Sequence, residues 1–177
     1  MHESISGKVV VITGGGRGLG RAMSIGLASA GARVLITAAR EGDELAKTEE
    51  DCRAIGGESS VLSLQADVTN IEDCQRVMHM AHQKWGHLHV LVNNAGRGMT
   101  YVDADFVKAR PPFWTIDTNI WQMIIDTNLN GIFNMSKAAF PYLLDEGWGR
   151  IVNVSTSLIT MQRRGYGPYG ATKWAVE

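Results

Sequence analysis

The sequence predicts an α/β protein in which a doubly wound parallel sheet is covered by helices on both faces, giving three layers in the order αβα. Short apolar runs alternate along the chain with longer segments in which apolar residues recur every three or four positions. Several short runs are apolar at consecutive positions, which is typical of strands buried on both faces. Because parallel strands need crossover connections of one hand, this alternation favours a doubly wound sheet.

The first half of the chain repeats a pattern of strand and helix. A continuous apolar strand is followed by a glycine-rich turn and then by an apolar stripe with the helical period. Gly31 is placed to end that helix, and another apolar strand follows it. The predicted strands are residues 8–13, 33–37, 60–65 and 87–92, and the helices between them are residues 19–30, 41–55 and 71–84.

The second half departs from this rhythm. Residues 99–116 carry mixed charge and the pair Pro111-Pro112, which predicts a loop with one short helical piece. A long helix is then predicted over residues 118–144 and a strand over residues 151–154. A polar loop follows, and a last helix begins at Tyr169.

Composition indicates one globular domain over residues 1–177 and a small-molecule ligand. The chain is 45% hydrophobic and 20% charged with a net charge of -1, so no basic surface for nucleic acid or membranes is expected. No apolar stretch reaches the length of a membrane span or of a signal peptide, so we expect a cytoplasmic protein. Cys52 and Cys74 lack metal or redox spacing and are expected to be buried or neutral thiols.

A glycine-rich turn, TGGGRGLG at residues 13–20, joins the first strand to the first helix. Glycine permits a tight turn and lets a pyrophosphate approach the backbone and the amino terminus of the helix. Such a turn needs glycine in any case, but its place in a unit of strand, helix and strand favours dinucleotide binding. The predicted contacts are Gly14, Gly16, Arg17, Gly18, Leu19 and Gly20.

Charge at the end of the second strand favours NADP(H) over NAD(H). A carboxylate there would hold a ribose 2'-hydroxyl, whereas an arginine accommodates a 2'-phosphate. This region ends in Arg40, no carboxylate precedes Glu41, and Arg17 adds a second cation. Two guanidinium groups suit a phosphate dianion. The alternatives are that both arginines are solvated and that the cofactor is NAD(H).

Tyr169 and Lys173 form the candidate catalytic pair. Side chains four residues apart on a helix share one face, so the Lys173 ammonium can favour the phenolate form of Tyr169. A tyrosine in that setting is a general acid or base near neutral pH.

Five motifs in order resemble those of the classical short-chain dehydrogenases/reductases, and they extend over the whole chain. They are the TGxxxGxG turn, an Asp-Val pair after the third strand, the NNAG sequence at residues 93–96, Asn128, and the tyrosine and lysine pair. The resemblance implies a single NAD(P)-binding Rossmann domain. Because members are longer, we expect this domain to be incomplete at its C-terminus and to lack its last strands.

The resemblance also assigns cofactor contacts. Asp67 would bind the adenine amino group, and Val68 would pack on the adenine ring. Helix capping is the competing role for Asp67, although Thr69 and Asn70 are better placed for that role. The floor of the cofactor site would consist of Asn94, Ala95 and Gly96, and Tyr169 and Lys173 would reach the nicotinamide end.

For catalysis, the resemblance implies that Tyr169 exchanges a proton with the substrate oxygen while Lys173 supports the phenolate and holds the nicotinamide ribose. The protein would be an NADP(H)-dependent oxidoreductase acting on an alcohol or ketone, and a dimer or tetramer at full length. A cofactor sensor without turnover is the rival, but it would need none of Tyr169, Lys173 and Asn128. The 177-residue chain alone is expected to bind NADPH weakly and to show no substantial turnover.

Two further catalytic residues carry alternatives. In the family the asparagine that matches Asn128 relays through water to the lysine, but it could instead be a structural amide, since an unpaired buried one costs about 1 to 3 kcal/mol. The family's serine lies thirteen residues before the tyrosine, a position held here by Thr156. Ser157 and Ser155 are the alternatives for this hydroxyl.

No metal site is expected. His87 and His89 have no acidic or cysteine residues clustered near them in the sequence.

Overall fold

The computed structural model describes residues 4–40 and 42–177, and it forms a five-stranded parallel sheet between two layers of helices. The strands are β1 (Val9–Thr13), β2 (Arg33–Ala38), β3 (Val61–Gln65), β4 (Val90–Asn93) and β5 (Arg150–Asn153).

The helices follow the predicted alternation. The bounds are α1 (Gly18–Ser29), α2 (Gly42–Gly56), α3 (Ile71–Trp85), α4 (Phe106–Ala109), α5 (Thr118–Ile125), α6 (Gly131–Asp145), α7 (Leu158–Met161) and α8 (Gly167–Ala175). Short 3-10 turns lie at Met99–Tyr101 and Phe113–Thr115. The predicted start of the second helix at Glu41 lies outside the described residues.

The strand order β3-β2-β1-β4-β5 confirms the doubly wound parallel sheet. The chain winds outward from β1 to β3 and then returns to pair β4 with the other side of β1. The carboxyl ends of β1 and β4 therefore flank the point where the winding changes direction. Clefts that bind ligands form at this position in open α/β sheets.

Alternate residues of each strand pack on opposite helix layers. Val9 and Val11 of β1 face the core beside α3 and α6. Val10 and Ile12 face the second core, beside α1 and α2. All four side chains are fully buried, which explains why the strand is apolar at every position.

The long helix predicted over residues 118–144 is one helical run from α5 to α6, interrupted by a π-helical segment. This segment, Asp126–Asn130, contains Asn128 and has an irregular hydrogen-bond pattern. The sequence pattern does not reveal this segment, because the buried positions Ile124, Asn128, Gly131 and Met135 keep steps of three or four residues across it. Such segments occur frequently at functional sites.

Two details near the end of the described chain differ from the prediction. The polar loop after β5 contains the short helix α7, with Ser157 as its N-cap. The last helix begins at Gly167 rather than at Tyr169, because Pro168 fits the first turn of a helix, where no backbone N–H is needed. No helix in the described parts of the chain combines the length and apolar character needed to cross a membrane.

Candidate functional site

The glycine turn between β1 and α1 adopts a conformation that few other residues tolerate. Gly14 and Gly18 have φ angles of +65° and +52°, in the left-handed region. A Cβ on Gly20 would collide with the carbonyl oxygen of Gly14. The N-cap of α1 is Arg17, whose side chain makes no capping hydrogen bond. The amino terminus of α1 therefore suits an anionic group of a ligand.

The turn is held against the end of β4 by Thr13 and Asn94. The Thr13 Oγ1 atom accepts hydrogen bonds from the backbone N–H groups of Asn94 (3.0 Å) and Ala95 (2.9 Å). In return, the Asn94 side-chain amide donates to the carbonyl oxygens of Thr13 (2.9 Å) and Gly14 (3.1 Å). These four bonds fix the two strand ends that border the cleft.

A cleft of about 230 Å³ lies at the carboxyl ends of the strands. Eleven of the candidate cofactor contacts line it, whereas Gly18, Tyr169 and Lys173 lie outside its lining. The eleven are Gly14, Gly16, Arg17, Leu19, Gly20, Arg40, Asp67, Val68, Asn94, Ala95 and Gly96.

A carboxylate also lines the end of the cleft that contains the two arginines. Glu44 of α2 lies beside the glycine turn, and its Oε2 atom is 3.7 Å from Nη1 of Arg17. Thr48, one helical turn further on, donates a hydrogen bond of 2.8 Å to the carbonyl oxygen of Gly16 and so fixes α2 against the turn. Glu44 belongs to the helix that follows β2 and not to the end of the strand, so the residues at the strand end do not predict it.

Asp67 and Val68 lie where the third strand ends. Asn70, not Asp67, caps α3, since its side chain accepts the N–H of Asp73 at 3.0 Å. The Asp67 Oδ1 atom instead accepts hydrogen bonds from the backbone and hydroxyl of Thr69. Val68 is buried in the cleft wall.

Asn128 is fully buried within the π-helical segment, and its side-chain amide is hydrogen-bonded. Its Oδ1 atom accepts the backbone N–H of Arg97 at 2.7 Å, and its Nδ2 atom donates to the carbonyl oxygen of Arg97 at 3.0 Å. The same Nδ2 atom lies 3.2 Å from the hydroxyl of Thr172, the residue before Lys173. Asn128 thus connects the loop after β4 to the helix that carries the candidate catalytic pair.

Lys173 is 5% exposed, and its Nζ atom donates a 2.6 Å hydrogen bond to the carbonyl oxygen of Val154, just after β5. The Nζ atom also lies 5.7 Å from the ring centroid of Tyr169. Burial lowers the pKa of Lys173 from its usual value. The half-buried ring of Tyr169 packs edge-on against Tyr166, with 6.4 Å between the ring centroids.

The three hydroxyl candidates after β5 have different surroundings. Ser157 is occupied as the N-cap of α7, where its Oγ atom accepts the N–H of Thr160. The Ser155 Oγ atom is buried and has no hydrogen-bond partner among the described residues. Thr156 is half-buried, and no hydrogen bond joins its hydroxyl to another described residue. This geometry leaves the Thr156 hydroxyl available to a ligand.

The cleft is also lined by Arg97, Tyr101 and Thr127, which belong to none of the five motifs. Arg97 directly follows the NNAG sequence, and Thr127 directly precedes Asn128. The positions of Arg97 and Thr127 next to motif residues are the sequence signal that places them near the cleft.

The expectation that no acidic residue clusters with His87 and His89 is wrong. Glu146, which follows α6, lies 2.9 Å from Nδ1 of His87 and 3.8 Å from Nε2 of His89. Its distance along the sequence hid this contact. However, the Nδ1 atom of His89 accepts the backbone N–H of Val9 at 3.0 Å, so the neutral ring carries its proton on Nε2. In this arrangement the Nε2 atom of His89 offers no lone pair to a metal ion.

Both cysteines are free and buried. Burial raises the pKa of the Cys52 thiol to about 11 and that of Cys74 to about 12, so both thiols are neutral near pH 7.

Sequence comparison relates the chain to known proteins. The family described as short chain dehydrogenase matches residues 8–177. An uncharacterised oxidoreductase of Listeria innocua is 31% identical over 173 residues, which are 98% of this chain and 64% of that protein. A 3-oxoacyl-[acyl-carrier-protein] reductase of Synechocystis is 30% identical over 98% of this chain and 65% of that protein. The chain therefore spans less than two thirds of the length of these relatives.

Solved structures share the fold. A short chain dehydrogenase/reductase of Burkholderia phymatum in complex with NAD matches with a TM-score of 0.85 and 31% identity, over 98% of this chain and 58% of that one. A metagenomic short-chain oxidoreductase in complex with NADP matches with a TM-score of 0.84 and 30% identity, over 98% of this chain and 73% of that one. Structures similar to this chain thus include complexes with either dinucleotide.

Proposed function

Because this chain belongs to the short-chain dehydrogenase/reductase family, we propose that it supplies the cofactor site and the proton-transfer residues of an NADP(H)-dependent oxidoreductase. Its substrate is an alcohol or the corresponding carbonyl compound. One observation carries the proposal: the glycine turn, Asp67 and residues 94–96 line one cleft at the carboxyl ends of the strands.

The residues of the cleft fit a nicotinamide dinucleotide. The α1 amino terminus, which lacks a side-chain cap, offers backbone N–H groups to the pyrophosphate. Asp67 and Val68 lie in the wall where the adenine would bind. When bound, the nicotinamide supplies or accepts the hydride, while the protein provides orientation and proton transfer.

The proton chemistry belongs to Tyr169. In the reducing direction its hydroxyl donates a proton to the carbonyl oxygen as hydride reaches the carbonyl carbon; in the oxidising direction the phenolate takes the alcohol proton. The Nζ atom of Lys173 is anchored to the carbonyl oxygen of Val154 beside the ring, where a protonated amine favours the phenolate form of Tyr169. Thr156 is the hydroxyl that we assign to hold the substrate oxygen, since Ser157 is occupied as a helix cap and the Ser155 Oγ atom is buried.

Replacement of Tyr169 tests this assignment. In the protein containing this chain, Tyr169→Phe should lower the rate of ketone reduction by about 100- to 10,000-fold, because the proton donor is lost. Dinucleotide affinity should stay within about twofold, since a hydroxyl outside the cleft lining is removed. The rate is measured by NADPH absorbance, and the matched control is Tyr166→Phe on the adjacent ring. A Tyr169→Phe variant that keeps the rate of the Tyr166→Phe control contradicts the assignment.

Preference for NADP(H) rests on Arg17 and Arg40, which both line the cleft. Replacing both by alanine should weaken NADPH binding about tenfold or more relative to NADH, because charge-assisted hydrogen bonds to a 2'-phosphate are lost. Affinities are measured by fluorescence titration. The double variant of Arg163 and Arg164, which lie outside the cleft, controls for net charge. Equal losses for both dinucleotides would refute the preference.

We expect a dimer or tetramer in the cytoplasm. Phe133, Phe140 and Leu144 on the run from α5 to α6 are 63%, 53% and 66% exposed, which suits contact with a second copy or with more of the same domain.

A further inference from the structure

We propose that Arg97 is an oxyanion-binding residue of the cleft. This proposal rests on the proposed function, since the anion would belong to the dinucleotide or to the substrate of the enzyme. In either case the bound group is a phosphate or a carboxylate, and the planar guanidinium of the half-buried Arg97 holds it.

The backbone of Arg97 is fixed beside the cofactor motif. Both its N–H and its carbonyl oxygen are hydrogen-bonded to the side chain of Asn128, at 2.7 Å and 3.0 Å. Arg97 follows Gly96, and a Cβ on Gly96 would approach Asn128 Oδ1 to 3.3 Å. Its Cα therefore has little freedom to move relative to the cleft.

The side chain is also held in one orientation. The Nε atom donates a 2.9 Å hydrogen bond to the hydroxyl of Thr127, and Nη1 lies 3.0 Å from the sulfur of Met123. The guanidinium carbon lies 5.0 Å from the ring centroid of Tyr101. Thr127 and Tyr101 line the same cleft as Arg97, so the contacts that orient the cation are part of the cleft wall.

The charge of this guanidinium lacks a counterion within the described residues. Two of their arginines, Arg53 and Arg97, are half-buried rather than exposed. Arg53 forms an ion pair with Glu49, whereas no carboxylate of the described residues lies within ion-pair distance of Arg97. A partly buried cation is costly unless an anion or good hydrogen bonds compensate it.

The guanidinium retains hydrogen-bonding capacity toward the cleft. Within the described residues, Nε and Nη1 make the hydrogen bonds to Thr127 and Met123, and Nη2 makes none. Because Nη2 is not buried, its N–H groups are accessible to a ligand. A guanidinium of this kind forms two parallel hydrogen bonds with a phosphate or carboxylate.

The experiment compares Arg97→Gln and Arg97→Lys with the wild-type chain, using NADPH, inorganic pyrophosphate and acetoacetate as probes in NMR titrations. Arg33→Gln is the control, because it removes the same charge from an exposed side chain outside the cleft. We expect Arg97→Gln to lower the affinity for at least one probe about tenfold. Arg97→Lys should lower the affinity for that probe by at least about threefold, and Arg33→Gln should leave it unchanged. Weaker binding of NADPH and pyrophosphate assigns the anion to the dinucleotide. Weaker binding of acetoacetate alone assigns the anion to the substrate.

The proposal is overturned if Arg97→Gln and Arg33→Gln bind all three probes equally, or if wild-type protein binds none of them. If Arg97→Gln does not fold, Arg97→Lys decides, and wild-type affinity for every probe overturns the proposal. The two proposals fail separately. If the wild-type protein binds pyrophosphate through Arg97 but does not bind NADPH, only the proposed function is refuted. If the Arg97 variants bind NADPH and acetoacetate as tightly as the wild type, only the role of Arg97 is refuted.

Discussion

Glu44 and Arg17 both line the cleft, with 3.7 Å between Oε2 and Nη1. Both side chains are largely exposed, so their mutual attraction is weakened by solvent. The carboxylate nevertheless lies beside the two arginines that we assign to a 2'-phosphate. It would compete for Arg17 and repel the phosphate, whereas it could accept a hydrogen bond from an unmodified ribose.

Glu44→Gln should therefore strengthen NADPH binding relative to NADH binding, by about two- to fivefold given the exposure of the pair. The comparison is between dissociation constants for the two dinucleotides at low ionic strength. Glu50→Gln serves as the control, since it removes one carboxylate of α2 that lies outside the cleft. A variant that gains affinity for NADH but not for NADPH would show that Glu44 does not oppose the phosphate.

At the scale of elements, two of the glycines in α1, Gly20 and Gly26, have opposite requirements. Gly20 lies against the carbonyl of Gly14 and the side-chain amide of Asn94, so no Cβ fits there without a shift of the turn. Gly26 lies in the same helix, is exposed, and has no atom within 4 Å of an added Cβ. Close packing requires glycine at residue 20, whereas Gly26 only lowers the helix propensity of α1.

Gly20→Ala should lower the free energy of unfolding by about 1 to 3 kcal/mol because the added methyl group overpacks the turn. Gly26→Ala should raise it by about 0.5 to 1 kcal/mol because alanine favours the helix. Chemical denaturation followed by circular dichroism measures both. Similar changes in the two variants would mean that the turn tolerates a side chain at residue 20.

At the scale of the whole molecule, a second polar cluster lies at the end of the sheet opposite the cleft. His89 precedes β4, and its ring accepts the N–H of Val9 at the start of β1. Glu146 joins this cluster from the end of α6, and His87 and Lys8 also face it. Burial, followed by the charge of Lys8, lowers the pKa of His89, although Glu146 acts in the opposite direction.

The sign of the resulting pH dependence follows from this shift. The unfolded chain binds the His89 proton at the usual pKa, near 6.5, and the folded chain binds it only at lower pH. Stability therefore falls as the pH is lowered from about 7.5 through 6.5 toward the folded pKa. The amide oxygen of asparagine in His89→Asn can still accept the Val9 N–H. This variant should therefore lose less free energy of unfolding over this pH range. Parallel pH series of denaturant unfolding measure the difference; identical slopes would exclude His89 as a contributor.

Local patterns in the sequence predicted the strands, the principal helices and the parallel sheet, because strand and helix periods are set by neighbouring residues. They did not predict α7, which spans four residues and begins at the Ser157 cap. They also missed the π-helical segment around Asn128, since the buried positions keep the ordinary helical spacing across it. The contact of Glu146 with His87 joins residues 59 positions apart, a separation that no local pattern reports.

By itself, the sequence determined the architecture and the identity of the glycine turn, the NNAG segment and the tyrosine and lysine pair, because these depend on local spacing. Only the tertiary structure decided the charge around them. It brought Glu44 to Arg17, left Ser157 as a helix cap, and oriented Arg97 in the cleft through Asn128 and Thr127. The physical reason is that electrostatic and hydrogen-bond partners are chosen by distance in space, which depends on how separate elements pack.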